Sequence, residues 1–372
     1  MRARRLGLVL LGLASVGAVA LAAGPRAGLL VAIGIGFGLV LEGLRFGFAG
    51  PWRLMIAERD ARGLIAQFLA IGLTAAVAFP LLAANPVELS PAHAPIGLGM
   101  LIGAFIFGAA MQVVMGCGSG TLVNAGSGNL VGLVALTGFV TGAFLGTLNA
   151  GFWGALPGLP MASAQSLAGS TGGLLLTLAG LGVLAGGFAL RAAPGKRLPP
   201  ARLIWAAVLL AALAIGNLVV AGQAWGIVYG LGLWGAKIAT ALGADLSASA
   251  YWAEPGNVTR LSQSILTDVT SLTDIGLILG AFLVVNARKA PGAPVAPLAP
   301  RGWALVLVAG VVLGYSSRMA LGCNVGAFFS GISTGSLHGW AWFVAAFAGS
   351  ALGLRLRPFV LVPARRPSEV AA

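Results

Sequence analysis

The chain has few side chains suited to chemistry, and the two that stand out are its only cysteines, Cys117 and Cys323. Two thiols so far apart give neither a disulfide framework nor a zinc spacing. Both occupy a Gly-Cys-x-x-Gly setting, with Gly116 and Gly120 around the first and Gly322 and Gly326 around the second. Small polar residues follow each: Ser119, Thr121, Asn124, Ser127 and Asn129 after Cys117, and Asn324, Ser330, Ser333, Thr334 and Ser336 after Cys323. A thiol in such a turn donates a weak S–H hydrogen bond to an anion or, as a thiolate, forms a transient sulfur–sulfur bond. Burial as a small apolar group is the competing use of cysteine, and the matched settings favour function.

Two cations join the candidates. Lys237, in LWGAKIA, is a rare charge within an apolar stretch, a functional position by default unless it snorkels to an interface. Arg318, shortly before Cys323, is placed to attract an anion to an entrance. His338 reads as a packing or interfacial histidine and His93 as a loop residue without chemistry, while Trp303, Trp340 and Trp342 read as membrane-interface anchors. Glu42 is the main acid expected within a span, which argues against a relay of stacked carboxylates. No nucleotide-binding loop, dinucleotide fingerprint or metal-spaced His/Cys cluster is present, so no cofactor, ATP-driven pump or redox enzyme is expected.

The elements that position these residues are set by composition. Of 372 residues, 58% are hydrophobic and 8% charged, where a soluble domain carries about 25% charged residues. The outer solvent has to be lipid. The 58 glycines suit close helix packing and backbone that bends around a cavity. A net charge of +13 would suggest nucleic acid in a soluble chain, but the bases cluster in short connections between apolar runs, the mark of cytoplasmic loops. Nucleic acid is therefore not an expected partner. The opening MRARR and the run 6–23 read as an uncleaved first helix, with a signal peptide cut after Ala20-Leu21-Ala22 as the competing reading.

Runs long enough to cross a bilayer, about 20 residues, lie at 6–23, 28–44, 64–84, 97–115, 130–148, 172–190, 203–221 and 339–354, with shorter pieces at 225–241, 275–285 and 303–315. Basic connections at the start, 45–62, 191–202, 288–301 and 355–366 are assigned to the cytoplasm. Those at 85–96, 149–170 and 243–274, the last holding Asp245, Glu254, Asp268 and Asp274, are assigned to the periplasm. The alternation requires 225–241 to be re-entrant. The expected fold is an all-α polytopic membrane protein of about ten transmembrane helices plus half helices, with both termini cytoplasmic in a bacterial inner membrane. Residues 1–190 and 203–372 form two repeat halves around a linker at 191–202.

The halves are suggested by a duplication: aligning Cys117 on Cys323 brings Gly116 onto Gly322, Gly120 onto Gly326 and Gly128-Asn129-Leu130 onto Gly335-Ser336-Leu337 after one inserted residue. The two copies enter from opposite sides, an inverted repeat of the kind that builds transporter sites near the midplane. A weaker copy at 45–50, RFGFAG, puts Gly47 at the cysteine position and Gly50 at that of Gly120.

At GCGSGTLVNAGSGNL (116–130), WGIVYGLGLWGAKIA (225–239) and MALGCNVGAFFSGISTGSLHGWAWFVAAFAGSALG (319–353), the chain resembles the YeeE/YedE sulfur-transport family. The resemblance covers about 33–354. It implies inverted repeats around a central path whose cysteines, here Cys117 and Cys323, hand thiosulfate on by S–H to sulfur hydrogen bonds. The family's early cysteine falls on Gly47, so one relay position is absent and a related sulfur or selenium compound is also compatible. The expected function is non-enzymatic import of a small sulfur-containing anion, thiosulfate foremost, past Cys117, Cys323, Gly116, Gly120, Gly322, Gly326, Asn129, Asn324, Lys237 and Arg318. The alternative is a membrane sulfurtransferase partner that hands persulfide sulfur, or a selenium compound, to a cytoplasmic carrier protein.

Overall fold

The computed structural model describes residues 2–288 and 298–360. Two long helices open the chain, α1 (Arg2–Ala23) and α2 (Pro25–Gly43), and a short α3 (Ala49–Glu58) precedes α4 (Arg62–Ala84). Next come α5 (Leu98–Val113), a short α6 (Gly118–Gly126), α7 (Leu130–Leu148), the single turn α8 (Ala150–Gly154) and α9 (Ala164–Arg191). The second half has α10 (Ala201–Ala221), a short α11 (Val228–Ala241), α12 (Pro255–Ser262) and α13 (Val269–Ala287). It ends with α14 (Pro300–Met319), a π-helical turn at Asn324–Ser330, α15 (Gly331–Ser333) and α16 (His338–Val360). Among the described residues, one small sheet pairs β1 (Ile96–Gly97) with β2 (Gly158–Leu159).

Among the described residues, ten helical stretches are long and apolar enough to cross a membrane: α1, α2, α4, α5 with α6, α7, α9, α10, α13, α14 through α15, and α16. Exposed leucines and valines on α1 and α9, such as Leu10, Leu13, Leu175 and Val183, give these helices an outward face that only lipid satisfies. The chain is a multi-pass, all-α membrane protein. The shorter runs 275–285 and 303–315 extend into full crossings, while α11 remains a half-length element, as the charge alternation required.

Ten alternating crossings sort the connections onto two faces, and contacts between connections respect the sorting. On the first face, where α1 begins, Ala61 N donates to Lys196 O (3.0 Å), Lys196 Nζ bonds Glu58 (3.0 Å) and Arg288 bonds Glu42 (2.6 Å). On the second face, Ser90 bridges Gln223, β1 pairs with β2, and Ala92 N donates to Thr334 Oγ1 (3.0 Å). The bend before α9 joins the segment before α16 through Ser163 and Ser336 on the same face.

Four of the main helix pairs are α2 on α13, α4 on α10, α5 on α16 and α7 on α14, and α5 also packs against α14. Glycine sets the separation in three of them, as where Gly34 of α2 meets Gly276 of α13, where a Cβ on Gly108 of α5 would strike the Ala346 carbonyl of α16, and where one on Gly142 of α7 would strike the Val311 carbonyl of α14. Such backbone contact is what small residues provide in lipid, where apolar burial gives helices little reason to associate. Exchanging α2 with α10, α4 with α13, α5 with α14 and α7 with α16 turns each pair into another. The helices exchanged cross in opposite senses, since each stands five crossings after its mate.

Two expectations are corrected. Trp342 is no interface anchor: it is fully buried in an aromatic cluster, 6.2 Å from the Trp52 ring and 5.6 Å from Phe107. Asp274 does not close the connection 243–274; it lies inside α13 with no exposed surface.

Candidate functional site

Each cysteine caps a short helical segment after a break in a crossing. On the first-face side, Met115 adopts a left-handed φ of 58° and Cys117 becomes the N-cap of α6. Its Sγ accepts from Gly120 N at 3.4 Å and lies 3.4 Å from Ser119 Oγ, while Thr121 Oγ1 donates to the Cys117 and Gly118 carbonyls, each at 2.8 Å. Side-chain hydroxyls thus satisfy backbone groups that a broken helix exposes at membrane depth.

The Cys323 segment repeats this geometry. Leu321 has a φ of 57°, and Cys323 caps the π-helical turn with Ala327 N on its carbonyl at 2.8 Å, where Thr121 N takes the Cys117 carbonyl at 2.9 Å. A left-handed, non-glycine residue two positions before each cysteine is uncommon enough to mark one motif used twice. Gly128 and Gly335, matched in the sequence alignment, both have positive φ, 75° and 91°.

The two segments meet. A Cβ on Gly118 would stand 2.8 Å from Cys323 Sγ and 3.6 Å from Ile227 Cγ2, so the residue after the first cysteine lies against the second thiol. Two further breaks complete the layer. The one before α3 has its carbonyls taken by Gln67 Nε2 (to Gly47 O, 2.8 Å) and Gln112 Nε2 (to Ala49 O, 3.1 Å). The one before α11 gives its Trp225 carbonyl to Ser330 Oγ (2.6 Å) and stacks the Trp225 ring on Phe37 at 3.8 Å.

A cavity reaches this layer from each face. The first-face cavity, about 470 Å³, is bordered by Arg45, Gly47, Arg62, Gly116, Cys117 and Gly120. The second-face cavity, about 440 Å³, is bordered by His93, Ile227, Tyr229, Arg318, Gly322 and Gly326. Both cysteines are closed off, at 1% and 0% exposure, so neither thiol is open to a face.

The candidates named from sequence divide accordingly. Gly116, Cys117 and Gly120 border one cavity, and Gly322, Gly326 and Arg318 the other. Arg318 lies over the Tyr251 ring at 4.8 Å, and its Nε makes no hydrogen bond among the described residues. Asn324, beside Cys323, is fully buried, and neither amide atom has a hydrogen-bond partner among the described residues. Asn129 stands apart as the N-cap of α7, accepting from Val131 N at 3.0 Å. Lys237 also borders neither cavity; its ammonium donates to the Leu261 and Gln263 carbonyls at 2.7 and 2.5 Å.

Three features escaped the sequence reading. The break before α11, whose re-entrant course the charge alternation required, joins the other three in one layer, a placement that no cysteine signals; unlike those breaks, with Arg45, Met115 and Leu321, it has no left-handed non-glycine residue two positions ahead. Gln67 and Gln112 cap the first break, a role that only polar residues inside apolar runs could have signalled. Asp274 is buried beside α11, where a Cβ on Gly230 would stand 2.9 Å from its Oδ2.

The comparisons with known proteins agree with this geometry. The family described as Sulphur transport matches residues 44–352, which include all four breaks. The chain is 27% identical over 161 residues to "Probable transporter YedE" of Escherichia coli (strain K12), covering 41% of this chain and 37% of that protein. It is 28% identical over 181 residues to the protein of the same name in Salmonella typhimurium (strain LT2), covering 46% and 42%. The chain therefore spans under half the length of the curated relatives it matches. The broken crossings and the match across them together place this chain in the YeeE/YedE family of sulphur transport.

Proposed function

We propose that the protein imports a small sulfur-containing anion, thiosulfate foremost, across the bacterial inner membrane. One observation carries the reading: two cavities open on opposite faces and end on two cysteine-capped segments that touch. Arg318 draws the anion into the second-face cavity. The Asn324 amide and the Cys323 and Cys117 thiols then donate to it in turn, replacing water that the closed layer excludes. Gly120 and Gly326 keep both approaches clear of side chains. The first face, with Arg45, Arg53, Arg59, Arg62, Lys196 and Arg202, is cytoplasmic by the bias of bases toward the uninserted side, and the termini lie there. The two repeat halves are residues 1–190 and 203–372 around the linker 191–202, with the exchanged helices α2, α4, α5 and α7 in the first and α10, α13, α14 and α16 in the second.

Uptake of labelled thiosulfate into proteoliposomes, with sulfate and selenite as competitors, tests the substrate. Competition by selenite alone would move the assignment to a selenium compound, and no uptake above empty vesicles would refute it.

A second reading keeps a covalent step, because Cys117 borders the cavity on the proposed cytoplasmic face. Its thiolate would attack the outer sulfur of thiosulfate, forming a persulfide as the S–S bond to the departing sulfite breaks, and the sulfur would pass to a cytoplasmic carrier protein. Intact-mass analysis after exposure to thiosulfate separates the two, since only the covalent route leaves an added sulfur on Cys117 or Cys323.

A further inference from the structure

We propose that Asp274 is the coupling-ion site of this transporter, holding a proton as a neutral carboxylic acid while the path is closed and giving it up during translocation. The carboxyl has no exposed surface, and neither oxygen has a hydrogen-bond partner among the described residues. A dry, unpaired carboxylate is among the costliest groups a membrane interior can hold, and binding a proton removes that cost. The other described acids are occupied or solvated. Glu42 pairs with Arg288, Glu58 with Lys196 and Asp60 with Arg62. Asp268 accepts from Ser271 N and Asp245 from Ser247 N, while Glu88 and Glu254 are exposed.

Location ties the group to the path. Gly230 lets the carboxyl lie against the first turn of α11, and the N-cap of that helix, Ile227, borders both the second-face cavity and the Gly118–Cys323 contact. The opposite half supplies an internal control. Gln67 is the sixth residue of α4 as Asp274 is of α13, and it is fully engaged with the carbonyls before α3. An ionisable acid without partners thus stands where the mate helix uses a fixed amide.

Neighbouring titratable and charged groups are committed elsewhere. On α2, Arg26 donates to the Val220 and Ala221 carbonyls, and Glu42 is held by Arg288. On α11, Lys237 donates to Leu261 and Gln263, and Tyr229 to Asn257. Cys117 caps α6, Cys323 caps the π-helical turn, Asp268 caps α13 itself, and Arg4 and Arg5 of α1 are exposed on the first face. The inference rests on the import reading: an anion entering a cell with a negative interior moves against the potential, and each proton carried with it removes one elementary charge from that load.

Two measurements on the full chain decide it. Infrared spectra of purified protein should contain a protonated-carboxyl C=O band that disappears in Asp274→Asn and shifts in Asp274→Glu; a spectrum without that band overturns the proposal whatever the substrate proves to be. In proteoliposomes, an acidic exterior should drive thiosulfate accumulation. Asp274→Asn should lower that accumulation about tenfold while labelled thiosulfate still exchanges with internal thiosulfate, and Asp274→Glu should keep the response to the gradient. Full gradient-driven accumulation by Asp274→Asn overturns the proposal. Absence of any thiosulfate movement by the unaltered protein refutes the substrate reading instead, and the infrared result then decides the role of Asp274 alone. Should Asp274→Asn fail to fold, Asp274→Glu decides: an unshifted band or a lost gradient response overturns the proposal.

Discussion

At the residue scale, the two thiols differ in surroundings although their backbones match. Cys117 Sγ already accepts from Gly120 N and sits beside Ser119 Oγ, whereas Cys323 has the unbonded Asn324 amide next to it in sequence and Gly118 pressed against its sulfur. Replacing either cysteine with alanine should cut thiosulfate uptake about tenfold or more, the loss expected when a positioned hydrogen-bond donor is removed from a dry site; unchanged uptake in both variants would exclude a thiol mechanism. Gly118→Ala tests the contact itself. Its Cβ would stand 2.8 Å from Cys323 Sγ, so either the sulfur or the segments must shift, at a cost of up to about 1–3 kcal/mol, read as a lower melting temperature together with slower uptake. The cysteines and their glycines were legible in the sequence because rare residue types recurred in the same setting. Asp274 was not, since the polar stretch TSLTD before the apolar run looks like loop and only tertiary packing draws it into α13. Lys237 was legible as unusual, but its carbonyl partners at Leu261 and Gln263 lie across a connection that no local pattern reports.

At the element scale, the ten crossings followed from apolar length and basic connections, because lipid fixes how long a helix must be and where its charges end. The half helices were harder to bound: α6 and α15 continue from crossings already counted, and the fourth break lacks the cysteine that marked two of the others. What joins three of the main helix pairs, α2 with α13, α5 with α16 and α7 with α14, is glycine against carbonyl. Gly142→Leu in α7 should destabilise the α7–α14 pair by about 1–3 kcal/mol or more, seen as a lower unfolding temperature in detergent, while the same change at Gly187 of α9, which has open space around it, should do little. A smaller effect belongs to the start of α4. Arg62 bonds the Asp60 carboxylate at 2.9 and 2.6 Å and holds its pKa below the ordinary value. A lowered carboxylate pKa stabilises the fold above the ordinary value, and that contribution is lost as pH falls through the lowered one. Asp60→Asn should therefore cost under about 1 kcal/mol at neutral pH, with the difference from the unaltered protein vanishing in acid.

At the scale of the whole molecule, the arrangement turns on inversion: four breaks, two entered from each face, converge in one layer, two of them inside crossings and two in the short segments before α3 and α11. Backbone without regular hydrogen bonds is tolerated in a bilayer only where protein or a cavity satisfies it, and here Gln67, Gln112, Thr121 and Ser330 do so around a layer closed on both sides. In the proposed transport, the two cavities would open to the thiols in turn, the alternating access that inverted repeats support. Topology and sidedness can be tested together with membrane-impermeant thiol reagents on oriented vesicles, in a Cys117→Ser, Cys323→Ser background. Gly120→Cys should react only from the cytoplasmic face and Gly326→Cys only from the periplasmic face, because each position borders one cavity and the buried layer lies between them. Reaction of both from the same face would remove the inverted repeat. Reaction of each from the face opposite to the one expected would keep the repeat but reverse the orientation, and with it the direction in which Arg318 and Asp274 have been placed along the path.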